Sequence, residues 1–396
     1  MDEWLNSVYE SEHDKNQTSE GRLVTSLCED VFSLAAVQLR TIRDRLSKKS
    51  DALVMAVVTV LTQLRFKQNQ SRNIFLEDLE TCCAAANDFQ RMSERCEDII
   101  MELTEEGELS EDATVTLQIS SGDLLSVYSG DAVYAAQYTH VYIIKDIREE
   151  LSDKLFQPEW EQDDENTMAQ TLTQTLDDYM RDLETFLEDF MLKKTVDALI
   201  NSSIVFYLHC LLVRAENHKS NKNPFFQDNQ VALERFSGDL KIMREYFESV
   251  SDGTPHLAQV VEEGFTTLGS VYELLVVAAG ASDSDADDFI PPLHKAIQDV
   301  NITKHVMGDL WHLVAPAQER TIWELVESME TTLLAVADNT NHEIDRMTVP
   351  GIRLDEMMAK HYIDSKRKRP VKAGAVEKMV NNWKLTWSEQ NPENAD

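Results

Sequence analysis

Apolar residues recur every three or four positions along almost the whole of this 396-residue chain, and short polar gaps cut the pattern into segments of helical length. The first segment runs roughly from Leu23 to Lys48, with Leu23, Leu27, Val31, Leu34 and Ala35 along one face. Asp51 is placed to cap a second helix through Phe66, since a carboxylate there accepts orphan backbone N–H groups. That helix is nearly all apolar, so burial is expected for it. A third segment, from about Asn73 to Leu103, carries Leu76, Leu79, Cys83, Ala86 and Phe89 on one side. The acidic gap TEEGELSED, Thr104 to Asp112, reads as a connection, with Ser110 as a candidate cap for the next helix.

From Ala113 to about Phe156 the pattern is helical, although ATVTLQIS also alternates like a strand; one isolated strand would have no sheet partner elsewhere in this chain. Two Ser-Gly-Asp triplets, at Gly122 and Gly130, predict kinks there. The region from Thr167 to about Glu216 is the longest uninterrupted helical pattern. Leu172, Leu176, Tyr179, Leu183, Phe186 and Phe190 step by 4, 3, 4, 3 and 4 residues and share one stripe. As one helix of about 50 residues it would extend roughly 75 Å, which predicts an elongated molecule.

Further helices are expected over Val231 to Val250, Leu257 to Ala279, Leu293 to Ala315 and Ala317 to Met347, with a short final one ending near Trp387. The class is all-α. The polar gaps suggest an N-terminal bundle over residues 1–156 and a central bundle with the long helix over 157–280. An acidic linker over 281–288, a C-terminal bundle over 289–364 and a basic tail with a short helix over 365–396 complete the division.

Charge sharpens this picture. Lys and Arg number 37 against 71 Asp and Glu, a formal net charge of -34. Such acidity argues against broad contact with nucleic acid or an anionic membrane, which would meet like charge over most of the surface. The exception is the tract Lys366, Arg367, Lys368, Arg369 and Lys372. Seven of the basic and four of the acidic residues lie from Lys366 onward, so a tail of +3 follows a body of -37. Contact with acidic headgroups or a partner is one reading of that tract, at about 1 kcal/mol per basic residue near a lipid surface. A nuclear-import-like tract or a solvated linker folding back on the acidic body are the others.

The residues offer little chemistry. Five scattered cysteines with no CxxC pair fit a reduced, cytosolic protein, and Cys82-Cys83 is expected to act as a small apolar pair. The N-terminus has no basic-then-apolar signal pattern, and apolar runs such as Ala52 to Leu61 and Ser270 to Ala279 are too short to span a bilayer. Asp283, Asp285 and Asp287 open like an EF-hand loop, but Asp288 stands where the turn needs Gly and His294 where a bidentate Glu belongs. His305 and His312 have no third ligand nearby. Asp177, Asp178 and Asp182 look like the aspartate cluster of a magnesium-dependent terpenoid-type diphosphate enzyme. Its companion motif is missing, because Asn87-Asp88 is followed by Arg91 where a hydroxyl should be. No nucleophile elbow, Walker loop or dinucleotide fingerprint is present. A non-enzyme without cofactor is the expectation, with the diphosphate enzyme or an unrelated acidic helical adaptor as alternatives.

Four stretches, in order, resemble the exocyst complex component 3 family of vesicle-tethering subunits. FLEDFMLKKTVDALINSSIVFYLHCLLV, Phe186 to Val213, is similar to the family's long helix with a Tyr-Leu-x-x-Leu-Leu core, here Tyr207, Leu208, Leu211 and Leu212. ALERFSGDLKIMREYFESV, closing on Tyr246-Phe247, resembles the family's next helix, and LVTSLCEDVFSLAAVQL and CCAAANDFQRMSERCEDI resemble earlier ones. The resemblance covers roughly residues 1–280 and corresponds to the C-terminal half of such a subunit. Family members extend further at the N-terminus, where a coiled coil pairs with other subunits, so Met1 falls inside the helical rod, as in a fragment or shortened homologue. The resemblance implies an elongated rod of stacked antiparallel helical bundles without catalysis. It also implies other exocyst subunits and SNARE proteins as partners, and a cytoplasmic site of action where vesicles meet the plasma membrane.

Overall fold

The computed structural model describes residues 2–11, 13–46, 50–71, 76–106, 110–218, 223–280, 304–315, 349, 351–354 and 357. The acidic linker, the EF-hand-like run, the helix expected over Ala317 to Met347, the final helix and the basic residues Lys366, Arg367, Lys368, Arg369 and Lys372 lie outside the described residues.

The chain opens with α1 (Asp2–Glu10), and a two-residue antiparallel pair, β1 (Asn16–Gln17) and β2 (Leu23–Val24), follows it. Leu23 therefore lies in a strand rather than starting a helix. Thr25 makes the change of direction: its Oγ1 accepts from Leu27 N at 3.1 Å, so α2 starts at Leu27 and runs to Leu46. Next come α3 (Ser50–Ser71), α4 (Leu79–Glu106) and α5 (Glu111–Tyr138). Asp51 lies inside α3 rather than capping it, since α3 begins at Ser50, two residues earlier than expected. Ser110 does cap α5, accepting from Ala113 N at 3.2 Å.

α3 is only half the buried helix its composition predicts. Val54, Val57, Val60, Leu61 and Leu64 are buried, but Met55 and Phe66 are 58% and 64% exposed. The expected kinks at Gly122 and Gly130 are absent as well, since α5 runs through both. It ends at Thr139 instead, before α6 (His140–Leu151). The Ala136 carbonyl there accepts hydroxyls from Thr139 at 2.6 Å and Thr195 at 2.8 Å, and side-chain bonds of this kind compete with the helix ladder.

After α7 (Pro158–Gln162), the expected 50-residue helix is two helices, α8 (Thr167–Phe186) and α9 (Asp189–His218). Leu187 is extended at φ -100° and ψ 145°. Buried Asn87 holds the corner: its amide donates to Phe186 O at 2.8 Å and Leu23 O at 2.7 Å, and its carbonyl accepts from Glu188 N at 3.0 Å. Leu187 N still closes the last turn of α8 on Leu183 O at 2.9 Å, and the Asn87 bonds satisfy Phe186 O and Glu188 N, where the ladder breaks. Three more helices follow, α10 (Asn229–Val250), α11 (Pro255–Gly280) and α12 (Lys304–Val314).

Helices α2 to α5 form a bundle in which neighbours linked by short connections run antiparallel. Glu29–Arg95 and Thr25–Asp88 contacts show that α2 and α4 point the same way; Arg65–Asp123 and Gln68–Asp131 contacts show the same for α3 and α5. α9 joins this bundle to the rest, packing against α5, α6, α8, α11 and α12. It is long and apolar enough to cross a bilayer, which the sequence reading did not anticipate, yet 78% of its apolar window is buried within the fold. Its apolar surface serves the core.

Candidate functional site

Five acidic side chains are buried among the described residues, Asp88, Asp131, Glu161, Asp239 and Asp309, and the two most buried of them, Asp88 and Asp239, each join helices. Asp88 on α4 accepts from Thr25 N at 3.0 Å and Thr25 Oγ1 at 2.6 Å, tying the start of α2 to α4. Burial pushes its carboxyl up to about 7, although the Thr25 bonds and Arg91 act in the opposite direction. Beside it lies a cleft of about 300 Å³ lined by Thr25, Cys28, Glu29, Arg91, Glu94 and Arg95 among others. Burial likewise pushes the Cys28 thiol up to about 12, so it is no nucleophile at neutral pH.

Asp239 on α10 accepts from Trp160 Nε1 at 2.7 Å, Tyr207 OH at 2.8 Å and Asn166 Nδ2 at 2.8 Å. Its carboxyl is raised by burial, which outweighs the three donors. Around it the Phe156 ring packs tilted against Trp160 at 4.8 Å and edge-on against Tyr207 at 5.0 Å, ring centre to ring centre. Phe156 takes a left-handed backbone, φ 60°, that a bulky residue adopts only when packing fixes it. The cluster binds α7, α9 and α10 together and leaves no group free to act on a substrate.

The aspartates singled out for magnesium behave differently. Asp178 and Asp182 are exposed on α8 and Asp177 is half-buried, with Arg181 bound to Asp177 and 3.3 Å from Asp178. None of the three lines the cleft beside Asp88. Asn87 and Asp88, the nearest match to a companion metal motif, are both committed to internal hydrogen bonds. All five cysteines are free and buried, Cys82 and Cys83 among them, and His312 is buried. Among the described residues no three His, Cys, Asp or Glu side chains gather as a metal site.

What this framework presents to the outside is helix surface, stacked helix on helix, without a catalytic constellation among the described residues. The family model for exocyst complex component Sec6 matches residues 1–277, more than half of the chain. The chain belongs to the Sec6 family of exocyst components. No curated protein matches it. Among solved structures it is similar to the crystal structure of the C-terminal domain of the exocyst subunit Sec6p, with a TM-score of 0.68 and 15% identity over 88% of this chain and 92% of that one. At that identity the likeness shows the shared all-α fold.

Sec6 subunits are non-enzymatic scaffolds, so the functional surface of this member is its outer helix faces. Most are charged. The conspicuous exception is the outer side of α3 and α5, where Met55, Phe66, Val115 and Ile119 stand exposed. Sequence reading missed this face, because a stripe of apolar residues at helical spacing has the same pattern whether it faces the core or water.

Proposed function

We propose that this chain acts in exocytosis as a scaffold subunit of a vesicle-tethering complex, holding other exocyst subunits together through contacts along its helical body. The match to the Sec6 family over residues 1–277 carries this reading. A body of stacked helices suits the task, because tethering needs length and laterally exposed surface rather than a pocket. The resemblance of Phe186 to Val213 to exocyst complex component 3 supports the closer kinship. SNARE proteins as partners and action on the cytoplasmic side of the plasma membrane at sites of secretion follow from that kinship.

Mixing the full chain with purified exocyst subunits and with SNARE proteins tests the partner set by co-elution; failure to co-elute with any exocyst subunit would count against the scaffold role. In the tail, Lys366, Arg367, Lys368, Arg369 and Lys372 form the basic tract suited to anionic headgroups. Replacing all five with Ala is expected to lower binding to phosphatidylserine vesicles by at least about tenfold at low salt, at roughly 1 kcal/mol per residue. Unchanged vesicle binding would remove the membrane contact from the proposal.

A further inference from the structure

The outer faces of α3 and α5 carry two matching stripes. On α3 the exposed residues Met55, Thr59, Thr62 and Phe66 step by 4, 3 and 4; on α5 Val115, Ile119, Gly122 and Ser126 do the same. The helices run side by side in one direction, so the stripes form one seam. No charged residue falls between Ala52 and Leu64, and Asp123, bound to Arg65, is the only one between Ala113 and Gly130. In a chain of net charge -34, an outer face with almost no charge and three side chains more than half exposed, Met55, Phe66 and Ile119, is one built to be covered.

Gly122, on the seam itself, is compatible with such a cover. A glycine inside a helix costs about 1 kcal/mol relative to alanine. A β-carbon at Gly122 would meet nothing within 4 Å, so nothing in the described fold requires its absence. Close approach of another backbone would require it. The same side of α5 is already used this way further along: Ala136, three heptads beyond Val115, is buried where Thr195 of α9 donates to its carbonyl. The N-terminal half of the stripe is left open.

The chain carries a segment of the right pattern. Residues 376–387 read VEKMVNNWKLTW, and Val376, Val380, Trp383 and Trp387 again step by 4, 3 and 4. The two indoles supply bulk where Thr59, Thr62, Gly122 and Ser126 are small. At helical spacing Lys384 would flank the stripe and Lys378 would lie on the opposite side, within a tail of +3 attached to a body of -37. Reach is ample. Gly351 lies against His140, where a β-carbon would sit 3.5 Å from Nε2, and Leu354 and Met357 pack on the core. His140 and Ile119 are about 32 Å apart along the helix axis, whereas the chain from Met357 to Val380, fully extended, spans up to about 76 Å.

We propose that residues 376–387 fold back as an amphipathic helix into the seam between α3 and α5 of the same chain. A second copy is disfavoured as occupant, because it would bring another body of -37 against the first, while a tethered segment acts at an effective concentration on the order of millimolar.

Cross-linking in the full chain tests this. All five native cysteines are buried, so Ile119→Cys with Val380→Cys places a reactive pair on the surface stripe and the tail. Mild oxidation is expected to close a disulfide within one chain, at a rate independent of protein concentration. That rate should exceed by at least about tenfold the rate for Lys145→Cys with Val380→Cys. Lys145 is exposed and lies nearer to His140, so tether length alone favours the control pair. Adding Trp383→Asp and Trp387→Asp should slow the Ile119 pair to the control rate. A control pair that reacts as fast, indifference to the two Trp→Asp changes, or disulfides between chains that grow with concentration would each overturn the proposal, the last by giving the seam to a second copy.

Discussion

Asp88 and Asp239 show how much of this fold is decided by single polar side chains placed where apolar ones are usual. Each is buried, and each satisfies donors from a different element. The sequence does not mark them: among 71 Asp and Glu, a carboxylate that enters the core has the same local pattern as one that solvates a helix. Only the donors from distant positions, Thr25 for Asp88 and Trp160, Asn166 and Tyr207 for Asp239, set them apart. Asp88 makes a pH-dependent prediction. Its carboxyl stands at about 7 in the fold against an ordinary 3.8. Below about pH 4 folded and unfolded chains both hold the proton; between about 4 and 7 only the folded chain does, so stability falls as pH rises through that window. The contribution amounts to at most about 4 kcal/mol. Asp88→Asn should flatten the slope, and urea unfolding of both proteins at pH 5 and pH 7.5 measures it; equal slopes would mean that Asp88 is ionised throughout.

At the scale of elements, local chemistry was legible and long-range interruption was not. Ser110 was readable as a cap because its role depends on residues three positions away. The corner at Leu187 and Glu188 was unreadable because the segment LEDF holds neither Pro nor Gly and the apolar stripe runs on to Phe190. The corner is made by Asn87, about a hundred residues earlier in the chain. Asn87→Ala removes three hydrogen bonds at once and should destabilise the protein by about 2–4 kcal/mol in chemical denaturation; a loss below about 0.5 kcal/mol would show that the corner holds without it. Glycines were misread for the converse reason. Gly122 and Gly130 permit a kink, but packing decides whether one forms, and α5 is continuous through both. Gly238 has a packing role that its position does not announce: a β-carbon there would lie 2.5 Å from Asn166 Oδ1, the side chain that bridges to Asp239. Gly238→Ala should therefore cost about 1–3 kcal/mol. Gly269→Ala, with nothing within 4 Å, should stabilise α11 by about 0.5–1 kcal/mol. The same sign for both in thermal unfolding would contradict this assignment.

For the molecule as a whole, the pattern of apolar positions was sufficient for the all-α class. The absence of catalytic spacing in the sequence points to a non-enzyme, and the resemblance of four stretches to a tethering family adds the scaffold. Among the described residues charge lies mostly on outer helix faces, where it keeps long amphipathic helices soluble, and the nearly uncharged seam on α3 and α5 stands out against it. Membership in the Sec6 family makes a direct claim about company: a scaffold of this kind is found with the other subunits of its complex. Isolation of the tagged full chain from secreting cells, with quantification of what accompanies it, tests that claim most directly. The account predicts the other exocyst subunits in near-equimolar amounts. Recovery of the folded chain without any exocyst subunit would contradict it.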